Sequence, residues 1–438
     1  PLWVGESTAA QPTAAPGASS EGSSPPLNFV TDRLPMPSAA LTAAPAAGAR
    51  LRFPALDGLR GLAAFGVLVL HVWMFSYGDL HKPPKGLLDF AAGELRLGVQ
   101  LFFVLSGFLV YRPFAAAALD GGRTPRLGRY AVRRAARILP AYWAALAGSF
   151  LLLRHLDHPM QIDAAQLPVF LLFAQNHFDE TIKHLDPPMW TLAIEVSFYA
   201  ALPFAGLLAV RLGAGRKRQL ALTLGLVATG ALCTALAFER GWPQTLSTSL
   251  LPHLVEFGAG MTVAVALHGQ RLRRRRAAWL LGAGIVLVLA NSVWHAKGLG
   301  AQAPRSLVGD APGIAGLALV LAAIVSSKWR AAAPLSRGPA RWLGQISYGL
   351  YLIHFPVIVG LRETEHWPDT FRRQLLAVAG LTIPAAALCW WLIERPAIRW
   401  AQRVTAPTPA PALGATAEPA RRQKTGELRA LRPQTSKS

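Results

Sequence analysis

LDGLRGLAAFGVLVLHVW, residues 56–73, decides the class of this chain. It is apolar enough to form a bilayer-crossing helix, for which about 20 residues suffice. Yet it carries Arg60 near its start and His71 deep inside. At about 100° and 1.5 Å per residue, the two share one helix face to within roughly 20° and stand about 16 Å apart along the axis. A helix entering from the inner side of a membrane puts Arg60 near the inner surface, where a guanidinium snorkels or binds phosphate, and His71 in the outer half. Taken singly, Arg60 reads equally as an interfacial anchor, and His71 as a packing histidine bonded to a neighbouring helix. Ionisable side chains inside a membrane are costly, which points to function for His71.

The rest of the chain repeats the pattern. Of its 438 residues 52% are hydrophobic and 15% charged. Apolar runs at 58–76, 97–115, 138–154, 190–210, 219–238, 250–268, 277–295, 311–327, 342–361 and 374–393 predict an all-α, polytopic membrane bundle of about ten transmembrane helices. The shorter apolar piece near 164–175 reads as interfacial or re-entrant. Residues 1–50, rich in Ala, Pro, Ser and Gly, are expected to be a disordered tail, and they carry no signal-peptide pattern. The membrane domain then occupies 51–400 and a basic, disordered tail 401–438.

The net charge of +21 would suggest a nucleic-acid partner in a soluble protein. Here the arginines and lysines gather in short loops, 120–137, 211–218, 271–276 and 328–341, as the positive-inside rule requires. No nucleic-acid partner is expected. Those loops face the cytoplasm, the mixed-charge loops face outward, and both termini come to lie on the cytoplasmic side of a cell membrane. Cys233 and Cys389 fall within predicted helices, so no disulfide framework is indicated.

The same topology places Glu195, His253, Glu256 and His354 near the outer half, roughly level with His71. Packing contacts favour scattered Ser and Thr over such a set of His and Glu. A proton pathway in a transporter uses the same residue types at the same depth, so depth alone leaves both readings open.

FPALDGLRGLAAFGVLVLHVW, GVQLFFVLSGFLV, RRAARILPAYW, MWTLAIEVSFY, LGQISYGLYLIHFPV and IERPAIRW occur in this order between residues 53 and 400. Together they resemble the acyltransferase 3 family of integral membrane O-acyltransferases. The resemblance implies transfer of an acyl group, often acetyl, from a cytoplasmic acyl-coenzyme A to a hydroxyl on a carbohydrate, lipid or natural product. It puts the family's Arg-x10-His signature on Arg60 and His71, its Arg-x-x-Arg segment on Arg134 and Arg137, and its helix glutamate on Glu195. Some members append an extracytoplasmic hydrolase-like domain, which is not expected from the short segment after residue 400.

The residues suit that chemistry. Guanidinium forks match phosphate geometry, so Arg133, Arg134 and Arg137 are candidates for donor binding; as i, i+3 neighbours Arg134 and Arg137 are the better pair, although the loop also serves topology. A hydroxyl attacks a thioester slowly unless a base takes its proton, and histidine does so near neutral pH. Glu195 or another buried acid would orient His71, with His253, Glu256 and His354 as further candidates. No metal and no bound cofactor are expected; acyl-coenzyme A enters as substrate. Ser106, beside Gly107, reads as a helix-contact residue, and no G-x-S-x-G elbow surrounds it. Tyr348, Tyr351 and Trp190 read as packing or interfacial aromatics. The alternative function is a proton-coupled transporter or flippase, but no internal repeat supports it.

Overall fold

The computed structural model describes residues 53–77, 86–122, 124–213, 215–296, 309–326 and 332–406. The expected disordered tail 1–50, most of the 401–438 tail and Arg123 lie outside them. The described residues form helices and turns, with no strand among them. This follows from composition, since a chain segment in hydrocarbon must satisfy its own backbone N–H and C=O groups, and a helix does so within the segment.

In chain order the helices are α1 (Pro54–Ser76), α2 (Leu87–Glu94), α3 (Leu97–Leu119), α4 (Leu127–His155), α5 (Leu167–Leu171) and α6 (Trp190–Arg211). They continue with α7 (Arg216–Glu239), α8 (Gln244–Ser247), α9 (Leu254–Ala266), α10 (Arg274–Ala296) and α11 (Ala311–Ser326). The last are α12 (Ala333–Ser336), α13 (Gly338–Gln345), α14 (Ser347–Glu363), α15 (Phe371–Cys389) and α16 (Arg395–Val404), the final two joined without a break by a π-helical turn, Trp390–Glu394. Pro54 opens α1, where its missing N–H costs nothing.

Each of the ten apolar runs falls on helix, but not each is a span. Among the described residues seven helices are long and apolar enough to cross a membrane, or eight if α13 and α14 count as one. That pair bends by 72° at Ile346, so the run 342–361 is broken rather than continuous. The run 250–268 also shortens. Its first residues, with Pro252 among them, form turns, and the helix proper has 13 residues. α11 has 16. The stretch at 164–175 folds into a 3-10 turn and the five-residue α5, too short to cross.

The core gathers side chains from α1, α3, α4, α6, α9, α11 and α14. Small residues let these helices approach, as packing between lipid-embedded helices requires. A Cβ on Gly107 of α3 would run into the backbone carbonyl of Phe257 on α9, and one on Gly260 of α9 would meet that of Val104 on α3. Gly61 of α1 and Gly344 of α13 are pressed together in the same way, which fixes the turn of α1 that bears Arg60. Facing outward are apolar side chains such as Trp279, Val286 and Leu289 of α10 and Leu376 and Leu388 of α15. Lipid is the solvent that such a surface suits.

Candidate active site

α1, α3, α6 and α14 line a partly open cleft. Arg60, Glu195, Thr191, Tyr348 and Tyr351 supply its polar groups, and Phe102 and Phe103 belong to its apolar wall. Ser347 and Tyr348 reach it because the bend at Ile346 starts α14 there.

Glu195 is held from its own helix and from α3. Tyr199, one turn on, donates its hydroxyl to Oε1, and the Ser106 hydroxyl donates to the same oxygen at 2.6 Å. Tyr130 in turn donates to the Tyr199 carbonyl at 2.9 Å, and the Arg134 guanidinium lies 5.1 Å from the Tyr199 ring centre. Arg60 stands within electrostatic range of Glu195, Arg134 and Arg137, and its buried Nε has no hydrogen-bond partner. Arg137 pairs with the buried Glu394 of the π-helical turn at 3.3 Å and faces the Tyr348 ring. Three guanidinium groups thus share two carboxylates, and the group as a whole carries positive charge toward the cleft.

Arg133 goes elsewhere. Its Nε donates to Thr405 Oγ1 at 2.6 Å and its Nη2 to the Thr405 carbonyl at 3.2 Å, tying α4 to the C-terminal end of α16. A cation suits a helix C-terminus, where carbonyls are left over.

His71 meets another imidazole instead of a carboxylate. Its Nδ1 lies 2.9 Å from the Val67 carbonyl and 3.2 Å from His354 Nε2. His354 is fully buried, and its Nδ1 lies 2.7 Å from the Tyr351 carbonyl. A carbonyl oxygen only accepts, so in the neutral pair both Nδ1 atoms carry the hydrogens. His354 Nδ1–H donates to Tyr351, His71 Nδ1–H is shared between Val67 and His354 Nε2, and the lone pair is left on His71 Nε2. Among the described residues that nitrogen has no partner. Tyr351 connects this pair to the cleft, its ring 5.7 Å from that of His354 and its hydroxyl 2.7 Å from that of Thr191.

His253 and Glu256 form a third group at the start of α9, 3.5 Å apart, with the His253 ring against Trp190 and Phe103. The layer of titratable groups expected from topology is therefore divided. Arg60, Glu195, Arg134 and Arg137 come together, His71 joins His354, and His253 joins Glu256. Sequence reading passed over Tyr199 and Glu394 and assigned Ser106, Tyr348 and Tyr351 to packing. The i, i+4 spacing of Glu195 and Tyr199 was a local signal for one of these contacts. The others join segments far apart in the chain and had no local signal.

A family model described as an acyltransferase domain matches residues 53–394, which contain every residue of the cleft and both histidine groups. The chain is 26% identical over 360 residues to the putative peptidoglycan O-acetyltransferase YrhL of Bacillus subtilis, covering 78% of this chain and 54% of the relative. It is 26% identical to the peptidoglycan O-acetyltransferase OatA of Listeria monocytogenes, over 78% of this chain and 55% of the relative. The chain thus spans about half the length of these two relatives. With the acyltransferase MdmB of Streptomyces mycarofaciens the identity is 25%, over 82% of this chain and 96% of the relative. No solved structure matches.

Proposed function

This chain belongs to the acyltransferase 3 family, and from that membership we propose that it is an O-acyltransferase of the cell membrane, moving an acetyl or other short acyl group from acyl-coenzyme A to an acceptor hydroxyl. The observation that carries the mechanism is the bare lone pair on His71 Nε2, on the same helix face as Arg60 and the cationic group around it. Arg60, Arg134 and Arg137 take the phosphate end of the donor. The extended pantetheine arm then runs along α1 toward His71, which lies about 16 Å further along the axis. His71 Nε2 removes the acceptor hydroxyl proton as the oxygen attacks the thioester carbonyl. The C–S bond breaks, the ester leaves on the acceptor, and the proton returns to the departing thiolate, giving free coenzyme A. The Val67 carbonyl holds His71 in the working tautomer, and His354 Nε2 accepts a stronger hydrogen bond once His71 becomes imidazolium. Glu195, fixed by Ser106 and Tyr199, holds Arg60 in place.

The names of the relatives support acetyl as the group and an envelope glycan as one class of acceptor. A proton-coupled transporter is the weaker reading, because no hydrogen bond links the three groups among the described residues. The test is acyl transfer by purified protein in nanodiscs. His71→Ala should lower turnover by about 10² or more, the usual contribution of a general base, with donor binding and melting kept. Neutral imidazole is the reactive form, so the wild-type rate should fall as pH drops through the histidine's pKa in the complex. Near-normal turnover by folded His71→Ala protein would remove His71 from this role.

A further inference from the structure

Fourteen buried side-chain polar atoms have no hydrogen-bond partner among the described residues, and eight of them come from two short segments, 175–186 and 249–256. Buried polar groups are almost always paired, so such a concentration requires explanation. The two segments meet in space. Asn176 Nδ2 donates to the Trp190 carbonyl at 2.8 Å and to the Thr248 carbonyl at 3.0 Å, bridging the start of α6 to the turn before α9. The second segment carries the His253–Glu256 pair, with Glu256 only 4% exposed, its Oε2 unpartnered and His253 Nδ1 without a hydrogen bond.

The chemistry of the orphaned atoms selects the ligand. Five of the eight are oxygens able to accept a hydrogen bond: Gln175 Oε1, Asn176 Oδ1, both Asp186 oxygens and Glu256 Oε2. An anion, which only accepts, would leave these oxygens unpaired, whereas a molecule bearing several hydroxyl donors would satisfy them. Beside them Trp190, half-buried, offers an indole 5.6 Å from the His253 ring, and Phe103 lies 5.4 Å away on its other side. A flat apolar surface next to hydroxyl-binding groups matches a pyranose ring, whose C–H face is apolar and whose edge is polar. Phe103 also lines the catalytic cleft, and Trp190 immediately precedes Thr191, which lines it too. The two places are continuous.

We propose that the N-terminal ends of α6 and α9, centred on Trp190, His253 and Glu256, bind an uncharged sugar unit of a carbohydrate acceptor and present it to the cleft. The proposal rests on the acyltransferase reading, and the experiment separates the two. Protein in nanodiscs is titrated with glucose, N-acetylglucosamine, cellotetraose and chitotetraose, with glucuronate as the anionic control, and binding is read by saturation-transfer NMR. At least one uncharged saccharide should bind and glucuronate should bind more weakly. Trp190→Ala and Glu256→Gln should each weaken that binding tenfold or more, while Trp190→Phe, which keeps a stacking ring, should lose less. In transfer assays with the saccharide that binds, these variants should raise the acceptor KM and leave the donor KM unchanged. Binding of none of the uncharged saccharides, or unaltered binding by both Glu256→Gln and Trp190→Ala, overturns the subsite. Saccharide binding by wild-type protein that consumes no acyl-coenzyme A would keep the subsite and overturn acyl transfer instead.

Discussion

Replacing His354 by Leu separates the roles of the two histidines by size of effect. The His71 Nδ1–H is shared between the Val67 carbonyl at 2.9 Å and His354 Nε2 at 3.2 Å. Without His354 the hydrogen keeps Val67 as acceptor, so His71 retains its tautomer and Nε2 keeps its lone pair. What is lost is one acceptor, and its worth changes during reaction. A neutral hydrogen bond contributes about 0.5–1.5 kcal/mol and one to a charged group about 1.5–3 kcal/mol. The gain on forming imidazolium is then about 1–1.5 kcal/mol, or roughly 5- to 13-fold in kcat. His71→Ala removes the base itself and should cost about 10² to 10⁴. Single-turnover acyl transfer in nanodiscs measures both, with melting curves as the check on folding. If folded His354→Leu protein lost as much as His71→Ala, His354 would be the proton acceptor and the tautomer argument would be wrong.

Arg137→Ala should lower the melting temperature sharply, because it leaves the buried Glu394 carboxylate unpaired, and breaking such a pair costs about 3–5 kcal/mol; the double variant with Glu394→Gln should recover most of the loss in thermal unfolding. Arg134→Ala should weaken acyl-coenzyme A binding, with the difference from wild type shrinking as salt screens the phosphates, whereas Arg133→Ala should leave donor affinity within about twofold because its guanidinium holds Thr405. Calorimetric titration at two salt concentrations distinguishes them, and equal losses would return Arg133 to the donor site. Reporter fusions at 125 and 273 should read cytoplasmic and those near 160 and 365 external; the reverse pattern would put the arginine group on the wrong side for a cytoplasmic donor.

Helical periodicity made the first half of the site legible. Arg60 and His71 share a face because 11 residues make just over three full turns, and α1 is one unbroken helix across both. The pairing of His71 with His354, 283 residues away, had no such signal, because which helices become neighbours is decided by packing. Glu195 illustrates the difference. Its depth was expected to match that of His71, but Ser106 and Tyr199 hold it in the arginine group. The broken helix was equally hidden, since the run 342–361 reads as one apolar segment and hydropathy does not register a change of direction. α9 came out shorter than expected because apolar turn residues and helical ones score alike.

The mutual seating of Gly107 and Gly260 has a consequence for how this fold can diversify. Those contacts are main chain against main chain, so the spacing of α3 and α9 is set by backbone rather than by side chains. α3 carries Ser106 and the phenylalanine wall of the cleft, and α9 begins beside His253 and carries Glu256. Substitutions at the rim of α9 can therefore change which molecule is admitted without moving the groups that react with it. On the proposed reading, descendants of one such scaffold can exchange one acceptor for another while inheriting the chemistry intact.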